Sequence, residues 1–152
     1  MSSRDPRDER LVEIFKSSGW FDGRHVAVEP ALSAWRANGH VPTPAASEFV
    51  AEFDGLSFKY PRRPLVGGED NCLLDAVAAV EGVFSSVVRE YEVRVGEILC
   101  PVGKAASAHI VLMVAKSGRV YGGYDQFLAL YGIDGRDAIV NIFDRTKPIK
   151  LT

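Results

Sequence analysis

Residues 96–123, Gly96-Glu-Ile-Leu-Cys-Pro-Val-Gly-Lys-Ala-Ala-Ser-Ala-His-Ile-Val-Leu-Met-Val-Ala-Lys-Ser-Gly-Arg-Val-Tyr-Gly-Gly123, decide the fold. Ile98–Cys100 and His109–Ala115 are apolar and rich in β-branched side chains, so two strands are predicted. Pro101-Val-Gly103 reads as the turn between them. Lys116-Ser-Gly118 forms a tight turn into Arg119-Val-Tyr121, the pattern of a hairpin. Gly122-Gly123 reads as the end of that hairpin.

Upstream, Leu56-Ser-Phe-Lys-Tyr60 alternates apolar and polar residues, as a half-buried strand does. Three short helices precede it. The first is capped by Asp5, with Pro6 at its opening position and Asp8 where a capping box places an acid. Leu11, Ile14 and Phe15 form its apolar stripe, and Gly19 stops it. Pro30 opens the second, with Leu32 and Trp35 on one face and Asn38-Gly39 at its end. Thr43-Pro44 opens the third, which buries Phe49, Val50 and Phe53 and stops at Asp54-Gly55. Residues 61–68 read as a loop. Asn71–Val80 is expected to be an apolar helix capped by Asp70 or Asn71. Phe84–Val95 fits a helix through Val87, Val88 and Tyr91, yet Tyr91-Glu-Val-Arg-Val95 alternates like a strand. Downstream, Tyr124–Tyr131 reads as a short helix closed by Gly132. Asp134 caps a last helix, with Asp137 in the reciprocal position and Ala138, Ile139, Ile142 and Phe143 on its apolar face. Thr146–Thr152 is expected to be a loose tail.

Helices, then strands, then helices imply an α+β fold: a small, mostly antiparallel (mixed) sheet packed with helices. The 152 residues suit a single domain spanning 1–152, and 47% hydrophobic with 25% charged residues excludes a disordered chain. A net charge of −2 argues against direct nucleic-acid binding. No apolar run reaches the roughly 20 residues that span a bilayer, so no membrane contact is expected. The charged opening residues lack a signal core, which points to the cytoplasm with Cys72 and Cys100 as free thiols. Those two cysteines and His25, His40 and His109 have no zinc-ligand spacing, so no metal is expected.

Taken in order, these blocks resemble a family. They are the first helix running into Gly19-Trp20, then Gly23-Arg24, then Ala46 and Phe49 leading to Phe53-Asp-Gly-Leu56. Gly96–Gly103, Gly118-Arg-Val-Tyr121, Tyr124–Gly132 and the Asp137-Ala-Ile139 helix complete them. The pattern is similar to the third subfamily of the SUKH superfamily, bacterial immunity proteins of polymorphic toxin systems. Residues 61–95 match it least. The resemblance implies a SUKH-like fold and a protein that binds and neutralises a cognate toxin, such as a nuclease or deaminase. It implies no cofactor and no catalytic residues. The matching positions Trp20, Gly23, Arg24, Gly55, Pro101, Gly103 and Gly118 read mostly as structural. Trp20 suits a core anchor. Arg24 either pins the turn by bonding carbonyls or faces a partner.

Two surfaces are candidates for toxin contact. Glu69, Asp70 and Asp75 form an acidic stretch beside the Gly67-Gly68 loop, suited to the basic cleft of a nuclease. Tyr121 and Tyr124, with Tyr131, are aromatic anchors near the hairpin edge. A rival function is a papain-like thiol hydrolase. Cys72 would open a helix whose N-terminus favours the thiolate, with His109 and Asp125 following in chain order. Against it, no glutamine precedes Cys72 to donate to an oxyanion, and Glu69 and Asp70 would oppose the thiolate.

Overall fold

The computed structural model describes residues 6–62 and 66–151. Three helices, α1 (Arg7–Ile14), α2 (Glu29–Ala37) and α3 (Pro44–Phe53), precede the hairpin β1 (Ser57–Pro61) and β2 (Glu69–Leu73). Then come α4 (Ala76–Glu81), α5 (Ser85–Val95), and the strands β3 (Leu99–Ala105), β4 (Ile110–Ala115), β5 (Val120–Tyr124) and β6 (Phe127–Gly132). α6 (Gly135–Asp144) and β7 (Ile149–Lys150) complete the order. Among the described residues the seven strands form one antiparallel sheet, ordered in space as in the chain. The expected α+β class, a largely antiparallel sheet packed with helices, is what forms.

The centre of the sheet is buried on both faces, whereas β1 and β2 keep one face exposed. Leu112 and Val114 of β4 pack on one side with Leu11, Trp35, Phe53 and Ile139 from the helices. Met113 and Ala115 point to the other side, where α5 adds Val88 and Tyr91. Such double burial is why residues 110–115 read as a continuous apolar run rather than an alternating one. α5 is helical throughout, and Gly96 ends it at φ +76°.

The expected helix from Asn71 is not there. Glu69–Leu73 is a strand paired with β1, Phe58 opposite Cys72. Cys72 and Leu74 are buried while Asn71 and Leu73 are exposed, a period of two that a helix cannot satisfy. The helix starts later, at Ala76, capped by Asp75 accepting from the Ala78 N–H at 3.0 Å. Pro101-Val-Gly103 is likewise no turn. It is a register shift inside β3, and Trp35 Nε1 donates to the Pro101 carbonyl there. The turn lies at Ala106–His109 instead.

Gly122-Gly123 continues β5 rather than ending it, because large side chains lie over both positions. A Cβ on Gly122 would come within 2.8 Å of Ile110, and one on Gly123 within 2.6 Å of the Tyr91 ring. The expected helix over Tyr124–Tyr131 is a turn at Asp125-Gln126 followed by β6, with Asp125 at φ +50°. The tail also joins the sheet, Ile149 pairing with Leu130.

Helix ends behave more nearly as expected. Thr43 and Asp134 cap α3 and α6, and Asp137 returns to the Ile133 N–H at 2.9 Å. The Asp5 cap lies outside the described residues. Asp8 is buried against Arg136 of α6, which also pairs with Glu52 at 3.0 Å and Asp22 at 3.2 Å. Trp20 is buried under the Arg136 guanidinium, 5.4 Å from its ring centre. At the outer edge of the sheet, Ser18 Oγ donates to the Ser57 carbonyl at 2.6 Å and accepts from its N–H at 3.2 Å.

Candidate functional site

One end of the sheet gathers the β3–β4 turn, the β5–β6 turn, the α4–α5 connection and the start of β2. Two hollows open there. The smaller, about 290 Å³, is lined by Phe84, Val87, Tyr91, Lys104, His109 and Tyr124, with Asp125 at its rim. The larger, about 620 Å³, is lined by Arg62, Val66, Asp70, His109, Tyr124 and Phe127. His109 and Tyr124 are shared by both, and their rings meet edge to face at 6.3 Å.

The surface here exposes large apolar side chains. Phe84 is 81% exposed, Val66 66% and Tyr124 51%. Exposed aromatics beside partly buried polar groups are the usual anchors of a protein contact. The walls are rigid, since the Tyr91 hydroxyl donates to the Asp125 carbonyl at 2.8 Å and Arg94 donates to the Gln126 carbonyl at 2.9 Å.

Of the residues singled out from sequence, Asp70 and Tyr124 come together at this end. Asp70 is occupied: it pairs with Arg62 at 3.1 Å and accepts from the Ser107 hydroxyl at 3.0 Å. Glu69 is exposed at the start of β2. Asp75 is committed to its helix cap. Tyr121 lies in the core beneath α5, 7% exposed, and presents no surface. Tyr131 is half-buried against the helical core, where burial pushes its hydroxyl up to about 12.

The residues proposed for thiol chemistry separate. His109 and Asp125 line the smaller hollow, but Cys72 does not; it sits on the core face of β2 with no exposure. Burial drives its thiol pKa far upward, so no thiolate is available near neutral pH. The helix N-terminus that would have lowered it belongs to Ala76, four residues on. Among the described residues no three His, Cys, Asp or Glu side chains converge to hold a metal ion, and no helix is long and apolar enough to cross a membrane.

Arg24 resolves in favour of structure, donating to the carbonyls of Glu52 at 2.7 Å and Asp54 at 2.8 Å. It thereby stitches the α1–α2 connection to the end of α3. Sequence reading missed Phe84, Lys104 and the turn at 106–108. Ala-Ser-Ala carries none of the Gly, Pro or Asn signals that mark a turn.

A family model described as SUKH-3 immunity protein matches residues 7–144, from the start of α1 to the end of α6. The chain belongs to the SUKH-3 immunity protein family. The SUKH-3 match includes residues 61–95, the part whose sequence resembles the family least. Membership makes immunity the functional class. Comparison with curated proteins and with solved structures found no match.

Proposed function

We propose that this SUKH-3 chain binds a cognate protein toxin and neutralises it in the cytoplasm by contact alone, with residues 1–152 acting as a single binding domain. The observation that carries the reading is the family match over residues 7–144. A cytoplasmic nuclease or deaminase is the kind of toxin envisaged, and the chain itself touches neither nucleic acid nor membrane. The contact surface is the loop end of the sheet around Tyr124, His109 and Phe84, with Glu69 and Asp70 at its margin. A tight interface buries about 800 Å² per partner, so the toxin would cover more than the two adjoining hollows.

The test is growth protection. The chain is co-expressed with toxin domains encoded in its genomic neighbourhood. Restored growth together with a stable complex of the two purified proteins supports the reading. Restored growth without a complex, or protection lost in Cys72→Ala at normal protein level, overturns it in favour of catalysis.

A further inference from the structure

Three successive non-glycine residues, Ala106, Ser107 and Ala108, hold φ of +51°, +54° and +75°. For a residue with a Cβ this left-handed conformation is sterically strained. A run of three persists only where the surroundings impose it, and such strain gathers at functional sites. Here β1 and β2 impose it. The Ala106 N–H donates to the Tyr60 hydroxyl at 2.8 Å. The Ser107 N–H donates to the Asn71 carbonyl at 3.1 Å, and the Ser107 hydroxyl donates to Asp70. Asp70 is itself held by Arg62.

The turn ends on His109, whose Nδ1 lies 2.8 Å from the Ala106 carbonyl. A carbonyl only accepts, so Nδ1 carries the hydrogen and Nε2 is the ring atom left for a partner. Across the smaller hollow stands half-buried Lys104. Nearby Arg62 is paired with Asp70 and Arg94 bonds the Gln126 and Leu151 carbonyls, whereas among the described residues Lys104 has no ion pair. Asp125 lines the same hollow without pairing to it.

We propose that Ala106–His109 is a pre-organised recognition loop for the toxin, with Tyr60, Asp70 and Ser107 as its positioning residues. The proposal rests on the toxin-binding reading above. The toxin segment that fits carries an apolar side chain for Phe84 and Tyr124, and beside it a carboxylate for Lys104 and a hydrogen-bond donor for His109 Nε2. Asp70 therefore acts through the loop rather than by steering a basic toxin. Ordering the loop in advance removes an entropic cost that association would otherwise meet.

The test measures affinity for the toxin domain that the chain neutralises, alongside the thermal midpoint of each variant. In the double variant Ala106→Gly with Ala108→Gly, glycine accepts positive φ without steric cost, so strain is relieved and the loop is freed. Its midpoint is expected to hold or rise while affinity falls about tenfold. Ser107→Ala is expected to weaken binding in the same sense. Lys104→Met is expected to weaken binding and flatten its salt dependence. Wild-type affinity in the double-glycine variant overturns the recognition loop, and so does a fall in its midpoint that accounts for the lost binding. Wild-type affinity in Lys104→Met overturns the carboxylate partner. A wild-type chain that binds no toxin overturns the underlying reading instead.

Discussion

The indole Nε1–H of Trp35 donates to the Pro101 carbonyl at 2.8 Å, deep in the core, tying α2 to the irregular point of β3. Trp35→Phe keeps most of the packing but leaves that carbonyl without its donor. The expected loss is about 1–3 kcal/mol, the usual penalty for an orphaned buried acceptor. Urea unfolding measures it, and an unchanged midpoint would show that the bulge is held by packing alone.

Both thiols are sealed. Burial raises Cys72 far above the ordinary thiol value and pushes Cys100 up to about 11. Neither is expected to react with iodoacetamide at neutral pH until the chain unfolds, and Cys72→Ala is expected to retain toxin binding. Rapid alkylation of the folded protein would contradict the buried placement of both residues.

His40 is 2% exposed, with Nδ1 3.2 Å from an Arg89 nitrogen and no partner for Nε2 among the described residues. The guanidinium can only donate, so Nδ1 accepts and the ring is neutral. Burial first, and Arg89 second, lower its pKa below the ordinary 6.5. With the folded value below the unfolded one, the unfolded chain takes up the proton first as pH falls. The His40 contribution is therefore complete above about pH 6.5 and shrinks as pH drops through it toward the folded value. Urea midpoints should decline on acidification in the wild type and decline less in His40→Gln. Parallel curves for the two proteins would assign the acid sensitivity elsewhere.

Gly123→Ala would set a methyl against the Tyr91 ring. Overpacking of this kind costs about 1–3 kcal/mol. Because the Tyr91 hydroxyl also holds the Asp125 carbonyl, the same change should loosen the β5–β6 turn. Amide hydrogen exchange at residues 124–127 would report the loosening, and unaltered protection there would refute it.

Local chemistry wrote the helical half of this protein legibly. Thr43, Asp134 and Gly55 are caps and stops whose effect needs only neighbouring residues. The mistakes fall where distant packing decides. Asn71–Leu74 has too few residues to reveal a period of two before α4 begins. Tyr124–Tyr131 has aromatic and aliphatic residues that suit either element, and strand pairing with Gly122-Gly123 settles it. Those glycines looked like turn formers because the side chains lying over them come from residues 91, 110 and 131. The candidate site was legible only in part, at Asp70, His109 and Tyr124. Its backbone core, the left-handed turn, arises from cross-strand bonds to Tyr60, Asn71 and Asp70 that no local pattern announces.

The contact between Ser18 and Ser57 has a bearing on solubility. In β1 the residues alternate between backbone groups turned to β2 and groups turned outward. Of the outward set, Ser57 is occupied on both sides by the Ser18 hydroxyl, and the Pro61 carbonyl is taken by Arg145 at 3.1 Å. Lys59 is left between them, carrying a charge. At the opposite margin β7 is only two residues long. Among the described residues neither rim offers a run of open amides and carbonyls, so copies crowded together at high expression find no template there for zipping into fibres.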